Sequence, residues 1–357
     1  MSTAQYAYLH ARVSLLAGKL LGQEQIQTLI GQSGTPIPVP QEGVATVNLT
    51  DTAIDAAALQ YAGDLDQNNV TILLRELAVL IRPLSGASRD LLGYWAHRFE
   101  LSNLKAIIRG KMAGQPQQTI ENQLLDMGGF TRLPTAELLQ SDSPAELLRR
   151  LEQTPYADIA RQARRLLEQG EALFALDAAI DRRYYAGLSR RGNEIGNRAG
   201  QILRSVIGSV IDRVNLVWLL RYRFAYNLPP AQAYYLLIPA SQRLSSQQLQ
   251  QLAQSATFED AIANLPRPYD RLLEGARNNT EVTLRLEFET WRISQSALRH
   301  SSFNAARALA YMVLRERDLR RLRAIVRGRN LKAPPDLIRA ALGLPLPEGA
   351  EPKLDEV

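Results

Sequence analysis

Apolar residues recur along this chain at the three- and four-residue spacing of one helix face. Between Val70 and Arg82, Leu73, Leu74, Leu77, Leu80 and Ile81 form such a stripe, and Pro83 and Gly86 end it. Tyr8, Val13, Leu15, Leu16, Leu20, Leu21, Ile26 and Ile30 predict helix over 5–30 with a break near Gly22. Thr35-Pro36-Ile37-Pro38-Val39-Pro40 predicts an extended connector, because proline lacks the helical donor and disfavours helix just before it. A short helix is expected over 52–62 and a long one over 88–111, stopped by Gly114 and Pro116. Short helices over 119–127, 135–140 and 144–152 precede a helical stretch over 157–191 with a break near Gly170. Helix is then expected over 198–226, before Pro229-Pro230, and in a short element carrying Leu249 and Leu252. Thr257-Phe258-Glu259-Asp260 has capping-box character. Helices over 282–298, 303–329 and 336–342 follow, and then an acidic, proline-containing tail expected to be disordered.

One pattern on these helices occurs three times. It runs from Glu100 to Lys111, from Asp212 to Arg223 and from Asp318 to Arg329, at offsets of 112 and 106 residues. The frame is an acid, then Asn103, Asn215 or Arg321, then Leu, two aliphatics, an Arg and a final Lys or Arg. The repeat extends beyond the motif. Pro155-Tyr156 and Pro268-Tyr269 are 113 apart, as are Glu146 and Glu259, and Tyr185 and Trp291 each precede their motif's Asn or Arg by 30. A repeat of this length dictates architecture. The expected fold is all-α, with three similar helical lobes about a pseudo-threefold axis: 1–115, 116–230 and 231–345, then a tail over 346–357. The third unit lacks a short-helix cluster after its motif, and the first 60 residues are expected to supply it and close the set.

On a helix, the aliphatic positions 104, 107 and 108, 216, 219 and 220, and 322, 325 and 326 face a core. Asn103 and Asn215 share a largely apolar stripe and need hydrogen-bond partners, expected from the backbone of a neighbouring helix. Arg317 and Arg321 on the third copy predict a more open face. The acid and the arginine nine residues later lie ~13 Å apart along the axis and cannot pair within one helix. Arg109 with Lys111, Arg221 with Arg223, and Arg327 with Arg329 carry two readings. They complement a helix C-terminus, or they contact a partner protein.

Composition narrows the classes. The 42 Lys and Arg against 36 Asp and Glu give a net charge of +6, spread along the chain as on a solvated surface. Absence of cysteine excludes thiolate metal sites and thiol nucleophiles. No secretory signal is expected at Met1-Ser2-Thr3-Ala4-Gln5, nor any membrane-spanning run, so a soluble cytoplasmic protein is the expectation. There is no phosphate-binding or dinucleotide glycine loop. His10, His97 and His300 are scattered, without metal-ligand spacing. Asp64 and Asp66 lack the glycine and the terminal acid of a calcium loop. Tyr184-Tyr185 and Tyr234-Tyr235 are expected to pack in cores rather than stack bases. No catalytic residue, cofactor or metal is expected, and no nucleic acid as partner.

Tyr8-Leu9-His10-Ala11-Arg12-Val13, the run from Asn103 to Arg109, Asp181 to Tyr185, Asp212 to Arg223 with its Pro-Pro, and Phe303-Asn304 through Arg315-Glu316 to Gly328 together resemble a known family. It is the central-stalk cap of rotary V/A-type ATPases, their C or d subunit. The resemblance covers nearly the whole chain. It implies a funnel-shaped helical rotor part without an active site, present once per complex on the cytoplasmic face of the membrane. It would link the membrane ring of proteolipid subunits to the central shaft subunits D and F, and transmit torque for proton or sodium transport. Arg109, Lys111, Arg221, Arg223, Arg327 and Arg329 are the interface candidates. Arg321 in place of Asn, Ser301-Ser302-Phe303-Asn304 in place of an Asn-Pro-Phe-Asn-like run, and the lack of cysteine depart from the pattern and suggest a bacterial or archaeal-type member. The competing reading is a helical-repeat scaffold that binds acidic proteins or RNA.

Overall fold

A computed structural model describes residues 3–31, 65–168, 173–239, 243–301 and 304–345. The connector at 35–40, the helix expected over 52–62, the break at Gly170 and the 346–357 tail lie outside them. Among the described residues every regular element is helical.

The chain divides into two compact units, residues 1–84 with 280–357, and residues 85–279. In the first, α1 (Thr3–Ala17) and α2 (Gln23–Gly31) are separate helices, as the glycines predict. α3 (Leu65–Ile81) buries Leu73, Leu74, Leu77 and Leu80, the stripe read from sequence. The second unit opens with the 27-residue α4 (Gly86–Met112), which carries the first motif. The short helices α5 (Gln117–Glu121), α6 (Thr135–Leu139) and α7 (Pro144–Leu151) follow. α7 starts with Ser143 accepting from the Glu146 N–H and Pro144 in the first turn, where its missing donor costs nothing. α8 (Ala157–Glu168) and α9 (Leu173–Glu194) come next, and α9 packs on α4 and on α10 (Asn197–Leu220), the second motif helix. A π turn over Arg221–Ala225 leads to α11 (Pro230–Tyr235), α12 (Ser246–Ala253), α13 (Phe258–Ala263) and α14 (Tyr269–Leu272).

α15 (Asn279–His300), α16 (Ala305–Asn330) and α17 (Pro335–Ala341) return the chain to the first unit. α16, the third motif helix, packs on α1, α2 and α3, and α17 on α2. Ile26 and Ile30 of α2 form one buried cluster with Ile325 of α16 and with Ile338 and Leu342 of the α17 segment. The N-terminal helices thus complete the core around the third motif. All nine aliphatic motif positions named above are buried. At about 25 cal/mol per Å² of apolar surface, such side chains contribute ~1.5–3 kcal/mol each, and this burial anchors the motif helices.

Candidate functional site

The motif's acid and amide act on main chain. Glu100 accepts from the Arg132 and Leu133 N–H groups and from the Tyr156 hydroxyl, all in the segment that follows its helix. Asp212 accepts from the Arg243 N–H at 3.1 Å and the Tyr269 hydroxyl at 2.8 Å. Burial, and then the bond to Glu100, push the Tyr156 hydroxyl well above its usual range, so it stays a donor. Asn103 donates to the Leu125 carbonyl and accepts from the Leu125 N–H, both at 2.7 Å. Asn215 does the same with Ile238, at 3.1 and 2.8 Å. The partner is thus an irregular connector, not the neighbouring helix expected from sequence. An amide that donates and accepts at once is suited to one peptide unit.

The third copy is built differently. Asp318 accepts from the Leu21 N–H at 2.8 Å, so the N-terminal segment stands where a following segment stands in the other copies. Burial raises the Asp318 carboxyl to about 6. Nearby, Arg315 is fully buried, 3.4 Å from the Glu76 carboxylate, and Tyr311 donates to that same carboxylate.

The three motif helices end alike, with one displacement. The Ala113 N–H bonds to the Arg109 carbonyl and the Gln115 N–H to that of Gly110. Leu331 and Ala333 bond in the same way to Arg327 and Gly328. In the second copy the bonds run from Tyr226 to Arg221 and from Leu228 to Tyr222, each one residue wider. One extra residue is absorbed there as the π turn. The slip from a 112-residue to a 113-residue offset records the same insertion. Gly114, Asn227 and Lys332 then take left-handed backbone (φ 65°, 52° and 56°) before the prolines that start the next short helices. A Cβ on Gly110 would lie 2.5 Å from Ile120 Cγ1, and one on Gly328 2.7 Å from Ile338 Cγ1. The second copy has Tyr222 in the glycine's place and Ala233 in the isoleucine's, exchanging bulk across the corresponding pair.

The six interface candidates separate by geometry. Lys111 donates to the Leu139 and Ser141 carbonyls at 2.5 and 2.7 Å. Arg223 donates to those of Ala253, Leu228 and Ser255. These two cations hold connectors against helix ends, and they reach main chain well beyond their own helices' last carbonyls. Arg329 is half-buried. Arg109, Arg221 and Arg327 are exposed. Arg109 pairs with Asp177 of α9, beside the Lys105–Asp181 pair. Arg221 and Arg327 form no hydrogen bond or ion pair through their side chains among the described residues. Sequence reasoning singled out the repeating Pro-Tyr pairs but not their role. The tyrosines close on the acids 56 and 57 residues upstream, and that shared separation was the available signal.

The remaining chemistry candidates resolve as packing. His97 is buried and desolvated, which lowers it to about 4. His10 lies against the Arg307 guanidinium, and His300 against the Ser296 carbonyl. Tyr184 is buried and stacked on Tyr94, whereas Tyr235, expected in a core, is exposed beneath the Arg182 guanidinium. No group of three or more metal-ligating side chains occurs among the described residues. No helix there is long and apolar enough to cross a membrane.

An all-helical chain whose polar machinery is spent on clasping its own connectors has the character of a structural subunit. It matches the family of the ATP synthase (C/AC39) subunit over residues 9–341, and it belongs to that family. It is similar to proteins named as the C subunit of A-type ATP synthases. That of Methanosarcina mazei is 24% identical over 351 residues, covering 95% of this chain and 93% of the relative. That of Methanocaldococcus jannaschii is 22% identical over 354 residues (95% and 86%), and that of Haloferax volcanii 26% over 349 (94% and 96%). The chain is therefore a subunit of an A/V-type ATP synthase and is not itself catalytic.

Proposed function

We propose that this chain is the rotor cap of its ATP synthase, one copy seated between the proteolipid ring and the central shaft subunits D and F, on the cytoplasmic face of the membrane. Its role is to pass torque between shaft and ring as ions cross. The threefold repetition of the motif in the sequence suits a part seated on a ring of repeated subunits. The observation that carries this reading, beyond family membership, is the repeated clasp. Each motif helix is pinned at its acid by main chain distant in sequence. Interlocking of this kind resists shear between helices, which a torque-bearing part requires. Each motif helix also presents one exposed arginine near its end, Arg109, Arg221 or Arg327. These three are the proposed contacts to acidic groups of the ring or shaft, with Lys111, Arg223 and Arg329 beside them.

The test is co-purification of the tagged chain with the proteolipid ring and with D and F. The wild-type chain is expected to carry both. Arg109→Glu/Arg221→Glu/Arg327→Glu is expected to lose one of them while keeping its helical circular dichroism. Undiminished co-purification of the triple variant would remove these arginines from the interface, and absence of ring and shaft from the wild-type sample would overturn the reading.

A further inference from the structure

The third motif copy departs from the other two on one face. There, Arg321 replaces the amide that in the first two copies grips a connector's main chain. A guanidinium only donates, so it cannot satisfy a peptide N–H as the amide does, and it suits acceptors alone, best of all an acceptor-rich anion. Arg317 lies four residues earlier on the same helix face. Its guanidinium stands over the Trp291 ring, 5.4 Å from the centroid, and its buried Nε has no hydrogen-bond partner.

Both arginines are half-buried, and neither side chain makes a hydrogen bond or ion pair among the described residues. The neighbouring acids Asp318 and Glu287 act on both arginines through their charge but bond to neither. Asp318 accepts from the Leu21 N–H, and Glu287 pairs with Arg320 at 3.5 Å. Burial, and then the charge of Arg321, lower Arg317 to about 10, and burial lowers Arg321 as well. Partly desolvated cations with unused donors gain most from an anion that accepts from both. Phe288, half-exposed with its ring 5.2 Å from that of Trp291, adds an apolar rim that a bare inorganic anion would not use.

We propose that Arg317, Arg321 and Trp291 form a docking site for an acidic peptide segment of a partner protein, whose carboxylates stand where the connector's main chain stands in the first two copies. The site goes beyond the rotor-cap reading and does not depend on which partner supplies the segment.

The experiment uses the full-length chain labelled with 5-fluorotryptophan. The three tryptophans give three fluorine resonances, and Trp291→Phe assigns the one of interest. The probe is a capped hexapeptide of glutamate and leucine. The expected result is a saturable shift of the Trp291 resonance alone, weakened by salt. Arg317→Gln/Arg321→Gln is expected to weaken binding at least tenfold with unchanged circular dichroism, and Arg317→Lys/Arg321→Lys to retain part of it. No shift, or equal affinity in the folded Gln variant, overturns the proposal. So does displacement by inorganic phosphate at the peptide's own affinity, which would mark a simple anion site. Binding that appears only after Glu348, Glu351, Asp355 and Glu356 are changed to their amides would give the slot to the chain's own end and overturn the partner assignment. Failure here leaves co-purification with the ring unaffected, so the two readings fall separately.

Discussion

Replacing Asn215 with alanine is the sharpest perturbation of the motif clasp. Asn215 is fully buried, and so is Ile238, whose N–H and carbonyl it satisfies. Truncation leaves both main-chain groups without partners in a site closed to water. An orphaned buried polar group costs ~1–3 kcal/mol, so two give about 2–6, with ~4 kcal/mol the working value. The corresponding loss at Asn103 is smaller, because Leu125 is half-exposed and water can replace the amide, and ~1–2 kcal/mol is expected. Arg321→Ala removes no hydrogen bond and should change stability by less than about 1 kcal/mol. The assay is urea unfolding followed by circular dichroism, with amide exchange at Ile238 and Leu125 as a local readout. Since two units need not unfold together, exchange decides where unfolding curves are not two-state. The expected order of cost is Asn215, then Asn103, then Arg321. Equal effects at Asn215 and Arg321, or unchanged exchange at Ile238 in Asn215→Ala, would refute the reasoning.

Gly110→Ala and Gly328→Ala should each destabilise by ~1–3 kcal/mol through overlap with Ile120 and Ile338, and adding Ile120→Ala should recover part of the first loss, read from urea midpoints. Asp318, raised from 3.8 to about 6, binds more protons folded than unfolded between those values. Its contribution to stability therefore falls as pH rises from 4 to 6, by about 3 kcal/mol, and Asp318→Asn should remove that fall from a plot of urea midpoint against pH. His97, lowered from 6.5 to about 4, acts in the opposite sense, so stability is lost as pH drops through that window, and His97→Gln should remove that loss. Arg221→Glu and Arg327→Glu should leave the melting temperature of the isolated chain nearly unchanged, since both side chains are exposed and without ion pairs among the described residues. Arg109→Glu gives up one surface pair worth under ~1 kcal/mol and sets two acids side by side, so it should cost more than the other two.

The longer helices and the nine buried motif aliphatics were legible in the sequence because both rest on local periodicity, whereas the helix expected over 119–127 ends at Glu121, where the chain turns into the connector that Asn103 grips. The expectation that the first 60 residues complete the third unit meets one bond among the described residues, from the Leu21 N–H to Asp318. What could not be read was long-range pairing. Nothing local says that Glu100 meets Tyr156, or that Lys111 reaches carbonyls 28 and 30 residues on. The π turn was encoded as a one-residue slip between repeat offsets, but a slip alone does not locate an insertion. It became placeable once the three sets of helix-end hydrogen bonds stood side by side. Of the six basic candidates, sequence position could not separate the three exposed arginines from the cations that clamp connectors, because both lie at the same end of the same helix.

The rotor assignment is tested most directly by watching the chain turn. It has no cysteine, so a single Gln123→Cys at an exposed position takes one fluorophore without competing thiols. In the assembled ATP synthase, held by its catalytic head and supplied with ATP, single-molecule polarisation should show that label rotating in step with a label on the central shaft. A label that stays fixed relative to the catalytic head while the shaft turns would contradict the account.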